Sequence, residues 1–162
     1  IPVIMIVAIA IFTKKYILGT YYYSDLFNPV ALILAFAAII PHEFFHAICF
    51  PKEAEVQFWF SPKHLMAFVF SSYPISKYRY VFMSFLPNLI LGFLPLVLWV
   101  VLPIGDSGFS SFLLCFSYIN LLFGVGDYLN IFNALTQMPR EAVTQLYGFN
   151  SYWYYPKGSK PE

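Results

Sequence analysis

The apolar residues of this 162-residue chain lie in long blocks, separated by short polar stretches. A helix needs about 20 mainly apolar residues to cross the roughly 30 Å hydrocarbon core of a membrane. Three blocks meet that length, at residues 29–50, 80–104 and 109–136. Residues 1–23 are a fourth candidate, interrupted by Lys14 and Lys15. That first span is either truncated, continued past lysines that snorkel to the surface, or only interfacial.

The stretch between the second and third spans has a different pattern. Two short runs rich in β-formers, at residues 55–60 and 65–70, flank the turn residues Ser61-Pro62-Lys63-His64. This arrangement predicts a β-hairpin at 55–71. The sequence contains no internal repeat and no low-complexity linker. We therefore predict a single domain over 1–162, an all-α membrane protein with a bundle of about four transmembrane helices and a small cytoplasmic-side β-hairpin insertion.

Composition agrees with the membrane assignment and excludes other classes. Hydrophobic residues make up 60% of the chain and charged residues only 10%, against about 45–50% and 25% in soluble domains. With a net charge of +1 and no basic cluster, nothing indicates nucleic-acid binding. Cys49 and Cys115 adjoin or lie in apolar runs, so we expect buried thiols and not a disulfide framework.

The distribution of basic residues predicts an orientation. One side of the predicted bundle carries seven of them, against two on the opposite side, Lys14 and Lys15. The seven are Lys52, Lys63, Lys77, Arg79, Arg140, Lys157 and Lys160. The positive-inside rule places the side with more Lys and Arg in the cytoplasm. We therefore expect a multi-pass protein whose hairpin and C-terminus are cytoplasmic.

The strongest chemical signal is His42-Glu43-Phe44-Phe45-His46, within the second span. Residues four apart share one helix face, so both imidazoles can bind one metal ion. Glu43 lies beside them and can take a proton from a water molecule that the metal activates, as in the H-E-x-x-H metalloproteases. An exposed helix could carry the same pattern by chance. Ionisable groups inside an apolar span are expensive, however, and usually functional.

A catalytic zinc site needs a third protein ligand and one open position. Asp127 is the only acid inside another apolar span, and its depth of about 12 Å is compatible with about 9 Å for the motif at 1.5 Å per residue. His64 is an alternative third ligand. Asp127 could instead be a protonated acid or a partner that orients a ligand.

The residues before Asp127 suggest a further role. Gly124-Val125-Gly126 favours either close packing on the metal-binding helix or local unwinding. Asn120 shares a helix face with Gly124 and Asp127, so it is a candidate to bind the substrate backbone or the developing oxyanion. Ordinary interhelical hydrogen bonding explains Asn120 equally well.

These motifs together resemble a known family. H-E-x-x-H near the end of one span, an aromatic hairpin and Gly-x-Gly-Asp in the last span are similar to the putative zincin peptidases, small bacterial membrane proteins. That family is similar in plan to the site-2 proteases, which cut substrates within the membrane. The resemblance covers about residues 28–155. It implies His42, His46 and Asp127 as zinc ligands, Glu43 as catalytic base, and the bacterial cell membrane as location.

The function expected is therefore a zinc metalloendopeptidase that cuts a membrane protein or membrane-proximal peptide in or next to the bilayer. The hairpin either offers an edge to an extended substrate strand or only packs at the membrane surface. One alternative is an inactive, zinc-containing binding or immunity protein. Another is a transporter, although that usually needs more spans. The pattern indicates no particular oligomeric state.

Overall fold

A computed structural model of the chain describes residues 2–17, 19, 25–61, 66–105, 107–147 and 150–158. The chain divides into two compact units. The first unit comprises Ile1–Ile39 and Asn88–Val125, and the second comprises Ile40–Pro87 and Gly126–Glu162. The predicted single domain stays a prediction.

Helices dominate the described part of the chain. They are α1 Pro2–Phe12, α2 Pro29–Ala37, α3 Ile39–Ala47, α4 Lys77–Asn88, α5 Leu94–Val101, α6 Gly108–Phe123 and α7 Val125–Gln137. Single π-helical segments follow α1, at Thr13–Ile17, and α4, at Leu89–Phe93. The strands are β1 Gln57–Ser61, β2 Met66–Phe70, β3 Ile75–Ser76, β4 Val143–Tyr147 and β5 Asn150–Tyr154.

Two helical stretches are long and apolar enough to cross a membrane, Pro29–Ala47 and Lys77–Val101. The pair α6 and α7 passes the same test only when both helices are taken as one span. The described residues thus carry two candidate spans, or up to three, and the predicted bundle of about four stays a prediction. The described part of the first predicted span is α1 and its π-helical segment; most of residues 18–23 lie outside the described residues.

Local sequence explains where the second span begins and bends. The side-chain oxygen of Asn28 accepts the Ala31 N–H at 3.0 Å, which caps α2 at its start. The helix is interrupted at Ala38. Pro41 has no N–H to donate to the carbonyl of Ala37, four residues earlier, so a break at this point is expected.

The fourth predicted span, 109–136, consists of two helices, α6 and α7, with a break at Gly124. A Cβ atom at this position would overlap the side-chain oxygen of Asn88. Only glycine at position 124 therefore allows this close packing. The close approach in the first unit is between Gly124 and Asn88, at the end of α4. Gly126 is different, since a Cβ there would meet nothing within 4 Å.

In the first unit, Lys14 is buried. The count of basic residues that predicted the orientation had treated it as a residue at the membrane surface. Its ammonium group donates to the carbonyl of Leu102 at 2.8 Å and to the carbonyl of Trp99. The indole N–H of Trp99 donates to Ser110 Oγ at 3.0 Å. Lys14 thus supplies donors to the carbonyl end of α5, where Pro103 stops the helix.

The second unit contains the two small sheets. The predicted hairpin is confirmed as the antiparallel pair β1–β2, with Phe58 opposite Val69; its turn, including His64, lies outside the described residues. The other sheet has the order β3-β4-β5 and was not predicted. The C-terminal tail supplies β5.

A core cluster holds the second unit together. It consists of Ile75, Tyr80, Met83 and Ala134. Cys49 packs against this cluster and is only half-buried, while Cys115 in the first unit is buried as expected. Lys77 also joins α4 to the end of α7, because its ammonium group donates to the carbonyls of Leu135 and Met138 at 3.3 and 2.6 Å.

Candidate metal centre

The last turns of α3 bring His42 and His46 together, as their spacing predicts. The two ring centroids are 4.9 Å apart, and the ring planes are inclined by 76°. Both side chains are mostly shielded from solvent, with 12% and 13% of their surface exposed. One helix therefore presents two imidazoles to the same point.

Asp127, in the first turn of α7, meets both imidazoles. Its Oδ2 lies 3.1 Å from Nε2 of His42, and its Oδ1 lies 3.3 Å from Nε2 of His46. One ligand atom from each residue lies within 4.8 Å of the other two. Asp127 was predicted as a ligand because it is the only acid inside another apolar span and lies at a compatible depth, and the structure brings the three residues together in the second unit.

The distances from Asp127 to the two histidines fit a zinc ion. Zinc binds nitrogen at about 2.0–2.1 Å and oxygen at about 2.0–2.2 Å, so neighbouring ligand atoms of a tetrahedral site are about 3.4 Å apart. The observed separations of 3.1 and 3.3 Å are close to that value. Two imidazoles and one carboxylate are also the ligand types that catalytic zinc sites use, with a fourth position open. His42, His46 and Asp127 could therefore hold a metal ion.

A backbone carbonyl fixes the orientation of His46. Nδ1 of His46 lies 3.0 Å from the carbonyl oxygen of Met83 in α4. Because a carbonyl can only accept, Nδ1 carries the proton, and Nε2 keeps its lone pair for a metal. Pro87 lies four residues after Met83 and has no N–H, so the Met83 carbonyl has no α-helical donor. The proline thus leaves this carbonyl available to His46.

Glu43 points to the hairpin. Its side chain is buried, and Oε2 accepts the backbone N–H of Val69 in β2 at 2.8 Å. This hydrogen bond fixes one carboxylate oxygen beside the two imidazoles on the same helix. The role of Glu43 as catalytic base stays a prediction, but the structure supplies a partner that would hold it in place.

A family model described as putative zincin peptidase matches residues 35–143. The chain belongs to this family. No curated protein and no solved structure matches the chain. Zincin peptidases are zinc-dependent, so the family supports a metallopeptidase and zinc as its metal. The match contains His42, Glu43, His46 and Asp127, and it ends where β4 begins.

The other two predicted site residues are Asn120 and His64. Asn120 is buried in the first unit, where its side-chain amide donates to the Phe116 carbonyl at 2.8 Å, within α6. Its proposed contact with substrate stays a prediction. His64, the alternative third ligand, lies outside the described residues.

Sequence reasoning missed Met83 and Val69, because both act through backbone atoms. No side-chain pattern marks a backbone donor or acceptor. One signal for Met83 was available, however. A proline inside an apolar helix always leaves the carbonyl four residues earlier without its usual partner, and Pro87 therefore marked Met83.

Proposed function

We propose that this member of the zincin peptidase family is a membrane-embedded zinc metalloprotease that hydrolyses peptide bonds within or next to the membrane. The observation that carries the proposal is the meeting of His42, His46 and Asp127 within 4.8 Å, with Glu43 beside them on α3. A purely structural zinc site needs no general base next to the metal.

Zinc held by these ligands supplies a Lewis acid that polarises the scissile carbonyl and lowers the pKa of a water molecule to about 7. The protein residues supply the proton transfer. Glu43 accepts the proton of the attacking water and later returns it to the leaving amine. The Val69 N–H holds Oε2 of Glu43, and in this proposal the second oxygen of the carboxylate accepts the proton of the reacting water.

The hairpin has a place in this proposal. Along a β-strand, the backbone N–H and C=O groups of every second residue point to the same edge. The backbone groups of Ala67 and Val69 therefore point to the same edge of β2. Val69 donates to Glu43 on that edge. We propose that an extended substrate segment pairs with β2 near Ala67, which would place a peptide carbonyl beside the base.

The position of the ligands favours hydrolysis at membrane depth. His42 and His46 lie in the candidate span Pro29–Ala47, and Asp127 lies in the paired helices that could form another. A transmembrane helix hides its carbonyls in its own hydrogen bonds, so the substrate must unwind locally before attack. We propose a membrane-protein or membrane-proximal substrate, a bacterial cell membrane location, and a cytoplasmic hairpin and C-terminus.

The test compares three proteins purified in detergent: wild type, Glu43→Gln and Asp127→Ala. Bound zinc is measured by mass spectrometry, and cleavage is followed on a membrane-tethered reporter substrate. We expect Glu43→Gln to keep zinc and lose cleavage, because only the base is changed. We expect Asp127→Ala to lose both.

Each result separates one part of the proposal from the rest. Full cleavage by Glu43→Gln would exclude the proposed mechanism. Normal zinc affinity in Asp127→Ala would exclude Asp127 as a ligand. Zinc in the wild type without cleavage of any tethered substrate would favour the inactive binding or immunity protein.

A further inference from the structure

The second unit contains an open cleft of about 270 Å³ between α7 and the sheet formed by β4 and β5. On one side it is lined by three amide side chains of α7, Asn130, Asn133 and Gln137. On the other side it is lined by two aromatic side chains of β5, Tyr152 and Trp153. The metalloprotease proposal assigns no role to this cleft.

The chemistry of the lining is specific. None of the described residues that line the cleft carries a formal charge. Each amide side chain offers both a donor and an acceptor, as a peptide group does. Asn133 and Gln137 are one turn apart, and the Gln137 amide donates to Asn133 Oδ1 at 3.3 Å. The row of amide side chains formed by Asn130, Asn133 and Gln137 has further donors and acceptors. These can bind a ligand in which N–H and C=O groups alternate.

The cleft begins about one helical turn from Asp127 along α7, and about one turn from the Met83 carbonyl along α4. On α7, Asn130 lies three residues after Asp127, which is about 4.5 Å along the helix axis. On α4, Tyr80 lines the cleft and lies three residues before Met83, whose carbonyl holds His46. α7, which carries Asp127, and α4, whose Met83 carbonyl holds His46, thus also form walls of the cleft.

We propose that this cleft binds a short, uncharged, extended segment of the substrate next to the scissile bond, through its backbone. The inference rests on the proposed protease function. The row from Asn130 to Gln137 spans about 10 Å of helix at 1.5 Å per residue. An extended peptide advances about 3.3 Å per residue, so about three residues fit along it.

Two other ligand classes fit less well. A phosphate-bearing lipid headgroup would need Lys or Arg in the lining, and none of the described lining residues is basic. A neutral sugar could stack on Tyr152 and Trp153. The position beside the metal centre favours the peptide, and the sugar is therefore included as a competing probe.

Binding can be tested without catalysis. Glu43→Gln protein labelled with 5-fluorotryptophan reports on the cleft through Trp153, whose ¹⁹F signal is assigned with Trp153→Phe. The peptide probe is acetyl-Ala-Thr-Ala-Thr-Ala-amide, and the competing probe is maltose, each at millimolar concentration. We expect the peptide to shift the Trp153 signal and maltose to leave it unchanged.

A double variant and a matched control locate the binding. Asn130→Leu with Asn133→Leu keeps side-chain size and removes the amides, and we expect the peptide-induced shift to be lost. Thr136→Val serves as the control, because Thr136 lies on α7 but does not line the cleft. Among the described residues, its hydroxyl donates only to the Phe132 carbonyl of the same helix. An equal shift with maltose, no shift with the peptide, or an unchanged shift in the double variant would overturn the inference.

Cleavage kinetics give an independent readout. With Glu43 intact, the double variant should raise KM about tenfold for a substrate long enough to enter the cleft, with little change in kcat and in bound zinc. A substrate truncated before the cleft should show no difference between the double variant and Thr136→Val. If the wild type cleaves nothing while the peptide still shifts Trp153, the protease function fails and the binding site stands.

Discussion

Pro87 lies one turn after Met83 in α4, and the Met83 carbonyl that the proline leaves without an α-helical donor accepts the Nδ1 proton of His46 at 3.0 Å. A feature that weakens a helix therefore supplies an acceptor to the candidate metal centre. Such partners of ligating histidines fix the tautomer and typically account for 10–100-fold in metal affinity or activity.

Pro87→Ala should weaken zinc binding about tenfold while making the helix more stable. The new N–H at position 87 can donate to the Met83 carbonyl and compete with His46, and removing an interior proline relieves up to about 3 kcal/mol. Competition with a chromophoric chelator measures the affinity, and thermal unfolding measures the stability. Pro95→Ala is the control, since Pro95 is another proline of the same helical stretch, about two turns beyond Pro87, and its missing N–H does not concern the Met83 carbonyl. Equal zinc affinity in both variants would contradict the role given to Pro87.

The two glycines around the break between α6 and α7 should respond oppositely to alanine. Gly124→Ala places a Cβ into the side chain of Asn88 and should destabilise the protein by about 1–3 kcal/mol. Gly126→Ala meets nothing within 4 Å in a helical position and should be neutral or stabilising by up to about 1 kcal/mol. Unfolding midpoints of the two variants in one detergent compare them directly. A stable Gly124→Ala protein would show that the Asn88 contact is not a packing constraint.

The candidate ligands were predictable because they follow local rules. The spacing of His42 and His46 is fixed by helix geometry, and Asp127 stood out as the one acid inside another apolar span. The hairpin was predictable because β-formers flank turn residues. These signals all lie in side chains that are close in sequence or unusual for their surroundings.

The pairing of β3 with β4 was missed because it joins distant parts of the chain. Ser76 pairs with Val143, and β3 is only two residues long, so no alternating pattern marks it. The tail, rich in Tyr and Trp, suits a membrane interface as well as a strand. Local unwinding at Gly124-Val125-Gly126 was one of two alternatives that the sequence left open, but the close approach of Asn88 was not predictable, because Asn88 is distant in sequence.

Zinc should stabilise the second unit, and removing it should lower the unfolding temperature. A ligand that binds only the folded state at 100 times its Kd adds about 2.7 kcal/mol. The structure brings both histidines and Asp127 together in the fold, and an unfolded chain would separate them. A chelator titration followed by thermal unfolding checks this. Glu43→Gln should keep the zinc-dependent shift and Asp127→Ala should lose it, while an identical shift in Asp127→Ala would exclude stabilisation through this site.

Replacing Val69 with proline should lower kcat about tenfold and leave zinc binding unchanged. The Val69 N–H is the partner of Glu43 Oε2 at 2.8 Å, and proline removes this donor. Since that N–H points to Glu43 and away from β1, proline should be tolerated at this edge. A hydrogen bond to a charged group contributes about 1.5–3 kcal/mol. If about 1.4 kcal/mol of this stabilisation is lost at the transition state, the rate falls tenfold.

Val69→Ala is the matched control, because it shortens the side chain and keeps the N–H. Rates on the membrane-tethered substrate, with bound zinc measured in parallel, separate the backbone donor from the side chain. If Val69→Pro cleaves as fast as Val69→Ala, the hairpin does not orient Glu43. If both variants lose cleavage equally, the side chain of Val69 matters rather than its N–H. Loss in Val69→Pro alone would tie the hairpin to the catalytic base, because Val69→Ala keeps the backbone donor and Val69→Pro removes it.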